Sequence, residues 1–551
     1  MNNEKKNKKK GVFEIPVALL SVYNKEGITD FAQQLVKLGW RIVASDGTAQ
    51  EIKKIGIPVT DIAELVGGSP ILGHRVVTLS REIHAGLLAK DTKEDREELK
   101  KLGIPWIDMV CVDLYPLQKE INSPRSTRES VIEKTDIGGP AMIRSAAKGS
   151  RIVICDPYDR EEVIEWLKAG RPKENEFITK LIAKAEVVVA DYCLASARYH
   201  SQGIYDGIIG KRIRECLYGE NAWQRPAGLY STKASTVGSI DSLSLEEFEL
   251  VAGISPSYNN LCDIDRLLQT ITHISAAFAI NRDSTPLIAV GCKHGNPCGV
   301  AVGKAPLVVI QKMIRGDSEA IFGGLAMVNF PIGEREAEKL LTYLMPKGKR
   351  RLLDGIIAPS FSKEAIDMLR RKGDKCRFLK NPGLTCGFLT PDLAPRFRYV
   401  RGGFLRQPNY TFVLNLKDPQ VAKIGRLTPE QEENLLLAWA IGSTSNSNTI
   451  TLVKNGYLIG NGVGQQDRVG GCVLALRRAR DARHKTKESF VYSDSFFPFT
   501  DGPEILSEAG VKAIFASSGS VRDSEVQDFC REKDMVLYLI PDKLGRGFFG
   551  H

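Results

Sequence analysis

The sequence lacks the marks of several large protein classes. Its 11 cysteines are odd in number, scattered, and never spaced C-x-x-C. That usage fits a reducing, cytoplasmic setting and excludes a disulfide framework and a structural zinc site. No uninterrupted apolar run approaches the roughly 18 residues of a membrane span, so no membrane partner is expected. No secretory leader is expected either, because GVFEIPVALL is broken by Glu14 and Pro16 and no small-residue cleavage site follows it. No internal repeat is legible, and no low-complexity segment lies beyond the N-terminal tail.

Charge of one sign is in modest excess. The formal net charge is +10 and the pI about 8.9. The tail MNNEKKNKKK sets a run of lysines against Glu4 alone, so residues 1–12 are expected to form a disordered basic tail. The remaining excess is spread thinly. It suits anionic small molecules and does not require nucleic acid.

What is present is ordinary globular material. The 551 residues are 43% hydrophobic and 26% charged, enough for roughly three or four folding units with real cores. PVALLSV (16–22) reads as a buried strand, and Ile28, Phe31, Leu35 and Leu38 follow at helical spacing. RIVAS (41–45) reads as a second strand, broken by Asp46-Gly47-Thr48 before a helix through Ile52 and Ile55. Met109 to Leu114 reads as a third. Strands alternating with helices predict a parallel sheet covered on both faces. From Asp159 to His200 the chain reads as helical, and a domain boundary is expected near Gln202 to Gly210. Further on, Thr428-Pro429-Glu430-Gln431 predicts a capped helix. Asn455-Gly456 predicts a hairpin.

Several clusters could carry chemistry. Ser21 with Lys25, and Ser45 with Gly47 and Thr48, sit at strand-to-helix turns where a phosphate can be held, although Ser and Thr are also routine helix caps. Asp136-Ile137-Gly138-Gly139-Pro140 precedes Arg144 and Lys148, which share a helix face; a turn and a solvated basic face would look the same. Lys293-His294-Gly295-Asn296-Pro297-Cys298 follows a strand, where lysine and histidine are placed for proton transfer. Zinc deaminases carry H-x-E and P-C-x-x-C. Here Asn296 and Ala301 stand at the positions of the glutamate and the second cysteine, so zinc-activated hydrolysis is not expected. GNGVGQ (460–465) follows the second strand of a hairpin and makes a poor dinucleotide fingerprint.

In this order the segments resemble one family, the AICAR transformylase and IMP cyclohydrolase bienzymes of purine biosynthesis. The resemblance is carried by SVYNKEG, VASDGTA, GHRVVTL, HAGLLA, VDLYP and TDIGGPAMIRSAAK. It continues through YGEN, SYNNLCDID, KHGNPCGVAVG, IFGGLA, GVGQQDR, SDSFFPF, SGSVRD and FFGH. It implies an α/β fold: an N-terminal methylglyoxal-synthase-like sandwich over 13–205, and a transformylase over 206–551 made of two cytidine-deaminase-like subdomains without zinc. It also implies transfer of a formyl group from 10-formyltetrahydrofolate to AICAR, then closure of FAICAR to IMP. The implied assembly is a homodimer, with a monovalent cation as a further candidate. By the resemblance, Lys293, His294 and Asn446 would work in transfer, with Tyr218, Asn260 and Phe322 on AICAR. Gln466, Asp494, Phe497, Pro498, Phe499 and Arg546 would line the remaining pocket. Tyr115, Asp136 and Lys148 would work in cyclisation, with Ser21, Lys25, Ser45, Gly47, Thr48 and Arg75 on the phosphate.

The chain departs from the family pattern in places. The G-R-V-K-T-L-H-P segment reads His74-Arg75-Val76-Val77-Thr78-Leu79-Ser80-Arg81, so Val77 replaces a lysine and Ser80 a histidine. Leu217 replaces an arginine that would reach the AICAR phosphate. These departures keep open a transformylase with a weak or inactive cyclohydrolase domain. A non-catalytic nucleotide- or nucleic-acid-binding protein is the third reading.

Overall fold

The protein is described by a computed structural model covering residues 15–72, 75–232, 241–385, 387 and 389–551. The expected basic tail 1–12 and His74 lie outside the described residues. Contacts divide the chain into two units. Unit 1 runs to Lys211 and takes in the segment from Tyr230; unit 2 holds Arg212–Leu229 and the residues from Asp241 to His551.

Unit 1 is built on β1 (Val17–Ser21), α1 (Ile28–Lys37), β2 (Arg41–Ala44), α2 (Asp46–Lys53), β3 (Thr60–Asp61), β4 (Met109–Val112), α3 (Gly138–Lys148), β5 (Ile152–Ile154), α4 (Asp159–Lys168) and α5 (Glu174–His200). Its strands form one parallel sheet in the order β3-β2-β1-β4-β5. β1 and β4 are buried almost throughout, which is why they read as continuous apolar runs. α1 turns Ile28, Phe31, Ala32 and Leu35 inward. One expectation needs correction: Asp46-Gly47-Thr48 does not separate β2 from a later helix but is the first turn of α2, and Ile55 lies past its end.

Unit 2 contains β6 (Glu249–Ala252), α6 (Tyr258–Arg282), β7 (Leu287–Lys293), β8 (Asn296–Gly303), α7 (Pro306–Gly316), β9 (Leu325–Val328), α8 (Glu334–Thr342), β10 (Gly355–Ala358), α9 (Lys363–Leu369) and β11 (Arg377–Lys380). It continues with β12 (Ala422–Ile424), α10 (Pro429–Gly442), β13 (Ile450–Lys454), β14 (Tyr457–Gly462), α11 (Arg468–Asp481), β15 (Phe490–Ser493), α12 (Asp501–Glu508), β16 (Ala513–Ser518), α13 (Asp523–Glu532) and β17 (Val536–Pro541). These twelve strands join one sheet, ordered β12-β17-β16-β15-β13-β14-β8-β7-β9-β10-β11-β6, and Arg396–Val400 pairs with Gly403–Gln407 outside it.

That order shows a repeat the sequence hides. A long buried helix leads to an antiparallel hairpin, and three helix–strand steps then extend the sheet outward. The scheme runs once from α6 to β11 and again from α10 to β17. The two hairpins meet antiparallel at Ala301 and Tyr457. At both outer edges a short antiparallel strand, β6 or β12, closes the half.

Candidate functional site

In unit 1 two strand ends converge on Thr48. The Lys25 ammonium donates to the Val22 carbonyl and to Thr48 Oγ1 at 3.1 Å. The Val22 amide donates to the same hydroxyl at 3.2 Å, and Ser45 Oγ lies 3.4 Å from it. Ser45 is the N-cap of α2, yet its side chain makes no capping bond, so the first amides of the helix are left for another acceptor. Gly47 keeps the approach open, since a Cβ there would lie 3.9 Å from Lys25 Cε. Burial lowers the Lys25 pKa, against the pull of Asp113 and Glu51. An ammonium at a helix N-terminus, with hydroxyls around it, is an anion cradle. Ser21 ends β1 beside it.

Asp136 lies just before α3. Its Oδ1 accepts from the Gly139 amide at 2.9 Å, and its own amide donates to Tyr192 Oη at 2.7 Å. Burial raises the Asp136 pKa, while bonds from the Gly139 and Tyr115 amides pull it down. The Tyr115 ring meets Tyr23 edge-on at 5.4 Å. Burial raises its pKa as well, and Asp136 adds to the rise. The structure therefore brings Asp136 and Tyr115 together. It does not bring Lys148 to them: Lys148 is exposed at the far end of α3, about 15 Å along the axis. Arg75 pairs with Glu133 at 2.8 Å on the surface. Val77 packs against the apolar core of the unit, and Ser80 caps the helix Arg81–Leu88 by accepting from Ile83 at 3.3 Å.

In unit 2 the hairpin β7–β8 turns through His294 and Gly295, at φ 52° and 70°. Lys293 and His294 line a cavity of about 210 Å³ together with Asn296, Asp317, Asn461 and Arg478. Lys293 Nζ donates to the Phe322 carbonyl at 2.8 Å, which ties two expected residues together. Asn446 reaches the same turn, because its amide donates to Asn296 Oδ1 at 3.1 Å. Its side-chain oxygen accepts from Arg266 at 2.9 Å, and Arg266 lies 4.3 Å over the Phe549 ring. The Asn446 amide is thus held by a buried guanidinium. Asp263 braces the turn from α6, accepting from the Gly295 amide at 2.6 Å. Burial raises its pKa, with the Gly295 bond and the nearby His294 opposing.

The other expected residues are more dispersed. Asn260 is buried in the capping box of α6 with Ser257. Tyr218 is half-buried within electrostatic reach of Arg377, and Leu217 is 70% exposed. Asp494 is buried and bonded to Arg468 at 2.6 Å and Ser447 at 2.6 Å. Phe497 is in the core. Pro498 and Phe499 are exposed, with Arg522 4.7 Å over the Phe499 ring. Gln466 is exposed in the loop before α11. Arg546 pairs loosely with Asp542 at 3.7 Å.

Sequence reasoning missed Asp263, Arg266 and Asn296, which fix the geometry of the turn and of Asn446. Two of them lay in SYNNLCDID and KHGNPCG, but nothing local distinguishes a bracing carboxylate from a helix-surface one. It also missed His84, whose Nδ1 lies 2.8 Å from Ser145 Oγ on α3 and whose pKa is lowered by burial.

Comparison with known proteins adds to this geometry. The family described as AICARFT/IMPCHase bienzyme matches residues 146–478, and the MGS-like domain family matches residues 27–141. A protein of Persephonella marina named bifunctional purine biosynthesis protein PurH is 33% identical over 531 residues, covering 94% of this chain and 97% of its own. One of Anoxybacillus flavithermus with the same name is 35% identical over 528 residues, covering 92% and 95%. One of a Nostoc strain is 33% identical over 528 residues, covering 95% and 98%.

Proposed function

The chain belongs to the AICARFT/IMPCHase bienzyme family, and from that premise we propose how its residues divide the two reactions. The protein is a bifunctional enzyme of purine biosynthesis, an AICAR formyltransferase and IMP cyclohydrolase. Formyl transfer falls to unit 2. The amine of AICAR attacks the formyl carbon of 10-formyltetrahydrofolate, and the bond from that carbon to the folate nitrogen breaks. His294 takes the amine proton. Lys293 donates toward the developing oxyanion and the departing nitrogen, and Asn446 orients the formyl group. The observation that carries this reading is the shared hairpin turn: Lys293 and His294 face one cavity, and Asn446 is bonded to Asn296 two residues on.

Cyclisation falls to unit 1. The carboxamide nitrogen of FAICAR attacks its own formyl carbon, water leaves, and the ring of IMP closes. Asp136 and Tyr115 handle the protons; burial raises both pKa values, so Asp136 keeps its proton closer to neutral pH than in water and the Tyr115 phenol stays protonated, a donor, to a higher pH than in water. The cradle of Lys25, Ser45 and Thr48 holds the 5′-phosphate. The homodimer and the cytoplasmic location come with the same reading, and no helix among the described residues is long and apolar enough to cross a membrane. A monovalent cation would need buried hard oxygens, and Thr449 offers one, its carbonyl accepting from the Asp494 amide at 3.3 Å.

The test is turnover of AICAR with 10-formyltetrahydrofolate to IMP by the purified protein. Folate-dependent product is expected; none from folded protein overturns the reading. A second reading, a weak cyclohydrolase, is favoured by Val77 in its apolar setting and by the distance of Lys148 from Asp136. Supplying FAICAR directly separates the two. Slow closure that Val77→Lys speeds by about a hundredfold, the lower end of the range for a placed proton donor, would support the weak form. Fast closure by the unaltered enzyme would reject it.

A further inference from the structure

One ammonium of unit 1 stands beside the cyclisation residues and is bonded to nothing. Lys134 follows the short helix Arg128–Glu133, two residues before Asp136. Its backbone is pinned to that of Asp136 through one hydroxyl: Tyr192 Oη accepts from the Asp136 amide at 2.7 Å and donates to the Lys134 carbonyl at 3.1 Å. Lys134 Nζ lies 5.6 Å over the Tyr23 ring, and that ring meets Tyr115 edge-on at 5.4 Å. The Tyr115 phenol feels the carboxylates of both Glu133 and Asp136, so the chain on either side of Lys134 borders it.

The other cations of this site are engaged or distant. Lys25 is bonded to the Val22 carbonyl and to Thr48. Arg75 is paired with Glu133 at 2.8 Å, and Lys148 ends α3. Lys134 is half-buried, and its Nζ makes no hydrogen bond and no ion pair among the described residues. A contact with one aromatic face is weak at such a place and leaves all three N–H donors open. The facing segment supplies no substitute. It closes against this wall on both sides of Lys134, since Arg75 meets Glu133 and Thr78 packs on Gly138 so tightly that a Cβ there has no room. Val77, between those two contacts, is apolar and packed on the core.

Ring closure raises a charge that Asp136 and Tyr115 do not offset. The carboxamide nitrogen bonds the formyl carbon, and the carbonyl electron pair moves onto the formyl oxygen. That oxygen leaves as water after taking two protons, one from the carboxamide nitrogen and one from the nitrogen that bore the formyl group. Until the first proton arrives the oxygen is negative. A neutral carboxyl and a neutral phenol pass protons, but a cation aimed at that oxygen lowers the barrier directly. We infer that Lys134 is a further catalytic residue of cyclisation: on its flexible stem the ammonium leaves the Tyr23 face, donates to the formyl oxygen of FAICAR and holds the charge that develops there. The inference rests on the cyclisation reading.

The experiment supplies FAICAR directly to the full-length enzyme, to Lys134→Met and to Lys134→Arg. Lys134→Met is expected to lower kcat for closure by about a hundredfold, the lower end for a lost oxyanion donor. Its KM should stay within about twofold, because the charge is met only in the transition state. Lys134→Arg, which keeps a cation on a long stem, should recover about tenfold of that loss, since charge rather than shape is what the oxygen needs. Formyl transfer should be unchanged in both variants, and melting temperatures should stay within about 2 °C. Closure by Lys134→Met at the unaltered rate, or an arginine variant as slow as the methionine one, overturns the proposal and leaves the cyclohydrolase reading intact. A rise in KM alone overturns it too, because the ammonium would then bind substrate without favouring the transition state. A parallel fall in formyl transfer would assign Lys134 to the fold and likewise overturn it. No closure by the unaltered enzyme above the uncatalysed rate overturns the cyclisation reading, and the proposal with it.

Discussion

His294 and Gly295 close the turn between β7 and β8 with both residues in the left-handed region, the backbone a two-residue hairpin turn needs. The second half of the sheet has the same turn at Asn455 and Gly456, at φ 53° and 74°. Asn-Gly is a strong hairpin signal and was legible. His-Gly is not, so His294 read only as a residue at a strand end. The comparison gives a clean variant, since asparagine is already at home at this φ in the same protein. His294→Asn should leave the melting temperature within about 2 °C, the scale of a surface change. Formyl transfer should fall about 10²- to 10⁴-fold, the range for loss of a general base. Thermal melts and steady-state rates check both. A large drop in stability would mean that the imidazole holds the turn rather than moves protons.

At the scale of elements, helix starts decide where the polar groups stand. The capping box at Thr428 was legible because Pro429 and Gln431 complete the pattern. Its counterpart at Ser257 was not, because Asn260 stands where the pattern has Glu or Gln. Asn260 therefore read only as a ligand residue. In unit 1 the start of α3 fixes Asp136 through the Gly139 amide. A Cβ on Gly139 would lie 2.5 Å from Asp136 Oδ2 and 2.7 Å from Leu114 Cδ2, so the carboxylate must move. Gly139→Ala should lower FAICAR closure by about a hundredfold, the cost of a displacement near 1 Å. It should leave formyl transfer unchanged, and assays of the two half-reactions on one preparation check this. Equal loss of both would point to global destabilisation. The remoteness of Lys148 was beyond sequence pattern: i, i+4 spacing with Arg144 places it on a face, but helix length sets its distance from Asp136.

Over the whole molecule, the duplicated half of unit 2 depends on a seam that no local pattern announces. The sheet is continuous only through the meeting of β8 and β14, and behind it α6 packs on α10 in one apolar cluster. Helices buried on every side show no amphipathic period, and no sequence repeat is legible between the halves, so the structural repeat was invisible. His273 sits in this seam, fully buried, its ring 5.4 Å from Tyr410 and 6.0 Å from Trp439. Nδ1 lies 2.7 Å from the Gln269 carbonyl, and Nε2 has no partner. Burial therefore lowers its pKa from 6.5 to about 4. A base whose folded pKa is depressed stabilises the fold above its unfolded pKa, and that stability is lost as pH falls from 6.5 toward 4. The loss is of the order of 3 kcal/mol across that window. Urea midpoints measured from pH 7 down to about pH 4.5, where most of the linkage is expressed, should fall steeply in the unaltered protein. They should fall less in His273→Gln, which offers an amide to the same carbonyl and cannot take up a proton. Parallel curves for the two proteins would remove the imidazole from the account and leave acid sensitivity to the buried carboxylates.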